Sequence, residues 1–151
     1  MKYFNYFKTI CRHKWYVFVE CCKQGIIWQG IVHDMSKFSP QEFFASARYY
    51  SGENNDYEYQ KAWIHHKNHN KHHWEYWMDR DSVSGKIIVT KMPLKYLKEM
   101  YADLIGASKA YNKGLFDKKE PYWYFMNKEH AIMNIKDWNW MRDKLEKYKN
   151  S

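Results

Sequence analysis

Ile26-Ile27-Trp28-Gln29-Gly30-Ile31-Val32-His33-Asp34-Met35-Ser36-Lys37-Phe38-Ser39-Pro40-Gln41-Glu42 is the stretch on which the fold turns. Its first half is almost wholly apolar up to the His-Asp pair, as expected of a buried helix whose end opens into a site. Its second half carries a helix start. Ser39 stands at the N-cap, Pro40 at the first helical position and Glu42 three residues past the cap, a capping box that opens a helix through Phe43, Phe44, Ala47 and Tyr50. A helix that stops at two potential ligands and another that starts directly after them predict a helical protein with chemistry at the joint.

The same periodicity extends outward. Phe4, Phe7, Ile10 and Cys11 recur at helical spacing, a second segment carries Trp15, Phe18, Val19 and Cys22, and Gly25 closes it. Ser51–Asp56 reads as a loop, followed by a helix through Tyr59, Ala62, Trp63 and His66 that Asn70 closes. Residues 72–78 form a short turn or helix, and 79–91 an irregular excursion with a local extended piece. Pro93 opens an amphipathic helix through Leu94, Leu97, Tyr101, Leu104, Ser108 and Tyr111 that ends at Asn112-Lys113-Gly114. One or two further helices fill Pro121–Tyr148. With six Gly and three Pro in 151 residues, turns are too few for an all-β fold. The expectation is an all-α chain, one compact domain over 1–151.

Composition narrows the setting. Twenty-five basic against 17 acidic residues give a net charge of +8, which favours an anionic partner. The lysines are dispersed along the chain, so a nucleic-acid stripe is the weaker expectation. No apolar run is long enough to span a bilayer and no signal peptide stands at the N-terminus, so a cytoplasmic protein without a membrane partner is expected. Cys11, Cys21 and Cys22 cannot all pair internally and lack zinc-ligand spacing, which fits reduced thiols. Nothing in the sequence fixes the oligomeric state.

Histidine is the residue type with the sharpest pattern. Five of the eight lie between 65 and 73: His65, His66, His69, His72 and His73. On one continuous helix His66, His69 and His73 would share a face, and His65, His69 and His72 or His73 the neighbouring one. Imidazoles at this density suit metal or substrate contact, against the plainer reading that they stack on Trp63, Trp74 and Trp77. His33-Asp34 reads as a metal-ligating pair or as a helix-terminal His with a capping Asp. Asp103 interrupts an apolar segment, where a carboxylate must be paired or bound; Lys109 or solvent is the plainer partner. Its neighbours Ala102, Gly106 and Ala107 would let another element approach closely.

In order and spacing these residues resemble the HD-domain superfamily of metal-dependent phosphohydrolases. His13 precedes His33-Asp34 by twenty residues, His33-Asp34-Met35-Ser36-Lys37 is similar to the His-Asp-x-Gly-Lys stretch with Ser36 where Gly is usual, and Tyr101-Ala102-Asp103-Leu104 is similar to the closing Ala-Asp segment. The adjacent His72-His73 resembles the pair that holds a second metal in binuclear members. His33–Pro40 and His65–Trp74 also resemble the His-Asp-x-Ser-Lys-Phe-Ser-Pro and His-His-x-x-His-Asn-x-His-His-Trp stretches of a small uncharacterised family of bacteria and their phages, over most of the chain.

The resemblance implies an HD-like helical bundle in which His13, His33, Asp34 and Asp103 hold one divalent ion. His66 and His73 would hold a second ion, or His66, His69 and His73 would protonate the leaving oxygen; Lys37 would hold a phosphate oxygen. Nitrogen and carboxylate ligands together suit Mn, Fe, Co, Ni or Zn. The implied activity is hydrolysis of a nucleotide or another phosphate ester. The alternatives are a non-catalytic module that sequesters an anionic ligand such as a nucleotide, and a nucleic-acid-binding helical protein.

Overall fold

A computed structural model describes residues 1–53, 56–112, 115–127 and 132–151. The described chain is built from helices α1 (Lys2–Lys23), α2 (Ile27–Val32), α3 (Pro40–Tyr50), α4 (Asp56–His69), α5 (Leu94–Tyr111), α6 (Glu120–Asn127) and α7 (Ile135–Lys149). Short 3-10 turns cover Met35–Phe38 and Trp74–Trp77, and a hairpin joins β1 (Met78–Arg80) to β2 (Ile87–Val89) with Asp79 opposite Ile88. The extended piece expected within 79–91 is thus one arm of a two-stranded ribbon. The chain is mostly helical, as its periodicity predicts. Lys113 and Gly114, expected to help end α5, lie outside the described residues; Asn112 is its C-cap.

Three details depart from the sequence reading. The two N-terminal segments are one 22-residue helix, because His13 and Lys14 between them break neither periodicity nor hydrogen bonding. Gly25 does end it, at a φ of +71° that a residue without a Cβ adopts freely. The apolar α2 is six residues long and buries Gly30 alone, with Ile27, Trp28, Ile31 and Val32 exposed. The capping box forms only by half: Ser39 Oγ accepts from the Glu42 backbone amide at 3.4 Å, while the Glu42 side chain turns away to two histidines.

Helix α5 is the central element. One side of it packs with α6 and α7 around Met100, Ile105, Phe125, Met141 and Leu145. Its other side takes α1, where Val17, Cys21, Ile26 and Ala102 form a second cluster. The approach is close because Gly106 faces Val17: a Cβ built there would sit 2.6 Å from Val17 Cγ2 and 2.8 Å from its backbone nitrogen. Gly30 performs the same service for α2, its missing Cβ lying 2.9 Å from Cys21 Cβ and 3.1 Å from Phe18 Cα. These contacts carry His13, His33 and Asp103 toward one another, since each stands a turn or less from a point of closest approach.

Gly106→Ala must push α1 and α5 apart, because one of the atoms in its way is backbone and cannot rotate aside. The expected cost is about 1–3 kcal/mol, the range for overpacking a core. Chemical denaturation should show a lowered midpoint, and an unchanged midpoint would contradict the tight crossing.

Candidate metal centre

The joint read from the sequence is tighter than a helix end. Helix α2 stops at Val32, His33 adopts an extended-like conformation (φ −51°, ψ 129°), and Asp34 turns into the left-handed region at φ 53°. Asp34 is the one non-glycine with positive φ among the described residues, in a conformation that Asp tolerates better than most. Adjacent side chains on a continuous helix would diverge by about 100°. The reversal of backbone after Val32 instead turns both inward, where His33 Nε2 and Asp34 Oδ2 lie 3.4 Å apart.

Around that pair the chain gathers two sets of ligand atoms. On one side stand His13 Nε2, 3.4 Å from Asp34 Oδ2 and 3.2 Å from Asp103 Oδ1, and His33 Nε2, 3.5 Å from Asp103 Oδ1. On the other stand His66 Nε2 and His72 Nε2, each 3.4 Å from Asp34 Oδ1. Asp103 Oδ2 is 3.6 Å from His72 Nε2, so both aspartates present one oxygen to each set. Asp34, His66, His72 and His73 each offer an atom within 4.8 Å of the others, as do His13, His33 and Asp103; either group could hold a metal ion. Asp34 Oδ1, Asp103 Oδ1, His72 Nε2 and His73 Nε2 are buried without a hydrogen-bond partner among the described residues. Native proteins rarely leave such atoms unsatisfied, and four meeting in one place fit a cation.

A surrounding layer fixes the rings. Glu99 Oε1 accepts from Nδ1 of His33 at 3.0 Å and lies 3.2 Å from Nδ1 of His72, which leaves both Nε2 atoms facing inward. Glu42 Oε2 accepts from His66 Nδ1 at 2.9 Å, while its Oε1 lies 2.6 Å from His65 Nδ1. Ser36 Oγ donates to Glu42 Oε2 at 3.0 Å and accepts from Asn70 Nδ2 at 2.7 Å. Ser36, which departs from the HD pattern, therefore steadies the carboxylate that orients His66. His13 has no such support, its Nδ1 being buried without a partner.

Charge is distributed accordingly. Burial opposes ionisation of Asp34, but His33, Lys37 and His66 outweigh it and hold the carboxyl well below its usual range. Burial likewise opposes ionisation of Asp103, and its contacts with His13 and His33 overcome that. His33 keeps its proton well above the ordinary value, because Asp34, Asp103 and Glu99 outweigh the cost of burying its charge. His73 moves the other way: burial, then the neighbouring His72 and His66, favour the neutral ring, the form that ligates a metal. Lys37 Nζ lies 2.6 Å from Asp34 Oδ2, which raises its pKa against the effect of burial.

Each residue singled out in the sequence has a definite place. His13, His33, Asp34, His66, His73 and Asp103 come together, with Lys37 at their edge. His69 does not join them. It stays on the exposed side of α4, stacked on His65 at 3.8 Å with its Nδ1 bonded to the His65 carbonyl, so a role in leaving-group protonation has no geometric basis. The physical reason is that α4 stops at His69. Asn70 bonds back to His66, and the following turn, rather than a continued helix face, brings His72 and His73 inward. Asp103 is not paired with Lys109, which reaches Glu20 at 2.5 Å. The sequence reading missed Glu99 and the orienting use of Glu42, and named His72 only through the resemblance of its pair with His73, leaving it out of the second ion's ligands. Glu99 was within reach of the reading, standing four residues before Asp103 on the same face of α5.

Two cavities open beside the cluster. One, of about 460 Å³, is lined by Lys37, Glu42 and His66 with Tyr6, Tyr50 and Tyr59. The other, of about 580 Å³, is lined by His72, His73 and Asp103 with Met100 and Leu104. Trp63 and Tyr111 border both.

Fold and site together define a helical protein with a buried imidazole–carboxylate centre able to hold a metal ion. The chain belongs to the family described as Family of unknown function (DUF5662), whose model matches residues 2–147. That agrees with its resemblance to an uncharacterised family. No curated protein and no solved structure matches the chain.

Ion binding through His33 Nε2 must displace the proton that its carboxylate neighbours retain. A raised pKa stabilises the metal-free fold fully below 6.5 and loses that contribution as pH climbs through the raised value. Asp34 and Asp103, depressed from 3.8, act only at the acid end and do not change the sign near neutrality. His73, depressed from 6.5, works the other way only up to that value; above about pH 7 the metal-free protein should therefore lose stability at this site as pH climbs, while added Mn or Zn raises Tm by a growing margin. Paired melts with and without metal check this; a metal-induced shift that shrinks with rising pH would contradict it.

Proposed function

We propose that the protein is an HD-like metal-dependent phosphohydrolase acting on a nucleotide or another phosphate ester. Its ligands would be His13, His33, Asp34 and Asp103 for one divalent transition ion, and His66, His72 and His73 with the second oxygen of Asp34 for another. The observation that carries the reading is the meeting of four partnerless buried atoms between two imidazole sets that share both aspartates. Asp34 Oδ1, Asp103 Oδ1 and His72 Nε2 lie 3.2–3.6 Å from one another or from neighbouring imidazoles without well-formed hydrogen bonds, an arrangement that a cation between them would satisfy. Nitrogen with carboxylate oxygen favours Mn, Fe, Co, Ni or Zn. When bound, such an ion acidifies a water and offsets charge on a phosphoryl group.

The chain's own residues supply the rest. Glu99 and Glu42 hold three of the imidazoles in the tautomer that points Nε2 inward. Lys37, bordering the smaller cavity, adds positive charge where a phosphate oxygen would approach. The cavities on either side of the cluster give room for the two substituents of a phosphate ester, with Trp63 and Tyr111 as walls common to both.

Elemental analysis of the purified chain should find one or two transition ions, and a phosphoester panel with added Mn should release phosphate or a mononucleotide. Asp34→Ala should abolish both metal retention and turnover. Glu99→Gln, which keeps the shape but loses the charge behind His33 and His72, should cost about 10–100-fold in metal affinity or rate. A protein that binds a nucleotide and returns it intact would be a sequestering module, and affinity for DNA or RNA that survives Asp34→Ala would mark a nucleic-acid binder.

A further inference from the structure

Helix α1 is apolar on two faces. Tyr6, Ile10, Val17 and Cys21 are buried. On the other side Phe4, Phe7, Cys11, Trp15, Phe18 and Cys22 follow one another at three- and four-residue steps, a single stripe that among the described residues no α-helix but α2 touches, at Phe18. All are exposed except the half-buried Phe18, with Phe4 at 61% and Trp15 at 62%. Helix α2 widens the stripe. Gly30 rests on Phe18 and Cys21, and Lys14 Nζ bonds the carbonyls of Ile31 and His33, which sets Ile27, Trp28, Ile31 and Val32 beside it with Trp28 at 66% exposure. The Phe7 ring meets Phe38 at 6.1 Å, so the face continues past α2 to the exposed Met35.

We propose that this face seats the protein on the surface of an anionic lipid bilayer. Charge complementarity decides between possible occupants. Residues 1–38 contain six basic side chains, Lys2, Lys8, Arg12, Lys14, Lys23 and Lys37, against two acids, Glu20 and Asp34, both buried. Lys2, Lys23 and Lys37 pair with Glu53, Glu20 and Asp34, and Lys14 is tied to the α2 carbonyls, which leaves Lys8 and Arg12 as the cations beside the stripe, on a chain whose net charge is +8. Lys8 lies 4.4 Å over the Phe4 ring, and Arg12 follows one turn later, the placement of cations that reach headgroups while their stems cover apolar surface. Trp, Phe and Ile flanked by Lys and Arg is the composition of helices that lie at a membrane interface. A second copy of the chain fits less well, because apposed faces would bring like charges together, and lysine is depleted from protein interfaces.

Nothing here requires a membrane span, and no described helix is long and apolar enough to cross one. The sequence expectation of no membrane partner rested on that absence and on the lack of a signal peptide, neither of which bears on surface attachment. Seating by the stripe would leave chemistry accessible: the 460 Å³ cavity touches α1 through Asn5, Tyr6 and Thr9, on the side away from Trp15 and Phe18. The proposal is independent of whether the cluster hydrolyses anything.

The test is co-sedimentation of the full chain with phosphatidylcholine vesicles, with and without phosphatidylglycerol. The protein should partition into the anionic vesicles, weakly into the neutral ones, and less as salt rises. Each basic residue near such a surface contributes about fivefold, so Lys8→Gln with Arg12→Gln should weaken partition by about 25-fold. Trp15→Ala with Trp28→Ala should weaken it by at least about tenfold and abolish quenching by brominated lipid; both pairs should keep wild-type helicity and metal content. No partition into anionic vesicles, or partition untouched by either pair, would overturn the proposal. So would a wild-type dimer that Trp15→Ala with Trp28→Ala dissolves while no vesicle binds, which would make the face a self-interface.

Discussion

Backbone nearly touches backbone where Val17 of α1 meets Gly106 of α5, and the position of the buried cluster follows from that contact. His13 stands one turn before Val17, and Asp103 stands one turn before Gly106. Once the helices are held at the distance only a glycine permits, His13 Nε2 and Asp103 Oδ1 fall 3.2 Å apart without help from a loop. Gly30 repeats the device on a smaller scale by laying α2 on Cys21 and Phe18, so that the chain leaving Val32 delivers His33 and Asp34 to the same point. Side chains that must meet within a few tenths of an ångström are thus placed by rigid elements, the arrangement that makes a ligand set specific.

Holding that set together without collapse requires a second tier of polar groups. Several imidazoles and two ionised carboxylates are buried side by side, and burial alone would neutralise them. Mutual compensation keeps Asp34 and Asp103 charged, and the cost of ordering the rings is met by Glu99 from α5 and Glu42 from α3. Glu42 forgoes its capping role, and the loss to α3 is limited because Ser39 still accepts the backbone bond and Pro40 still fixes the first turn. Local helix stability has been exchanged for orientation of His66.

Much of this was legible in the residues. The helical periodicity, the start at Ser39-Pro40, the stop at Asn70 and the small-residue face of α5 all follow from local rules that the tertiary structure respects. The convergence of His33, Asp34 and Asp103 was readable only through their resemblance in order and spacing to a known superfamily, since the residues alone left Asp103 free to pair with Lys109 or to face solvent. Less legible was anything set by the path of the chain after a helix ends. His69 looked equivalent to His66 and His73 on a continuous helix, and only the turn at 70–73 separates them. Glu42 looked like the acid of a capping box and Glu99 like an ordinary helix acid, whose one signal was its place a turn before Asp103. The exposure of α2 was hidden for a related reason: an apolar run has the same composition whether it faces a core or an open surface.

Helix α1 shows how far composition underdetermines role. One face packs with Ala47 and Ala102, one turn supplies His13, one edge borders a cavity, and the remaining face carries Phe4, Trp15 and their neighbours into the open. A 22-residue helix devoted only to a core would be expected to place its charges on that outer side. Here the charges sit at the flanks, Lys14 is spent on tying down the carbonyls of α2, and Glu20 is buried with Lys23 and Lys109. The outer face is left both apolar and free of negative charge, at a cost in solubility that a protein with no use for the surface would not need to bear. Because the imidazole–carboxylate cluster draws on the inner face and the stripe on the outer, substitutions on one side can change what the protein touches without moving the side chains gathered on the other.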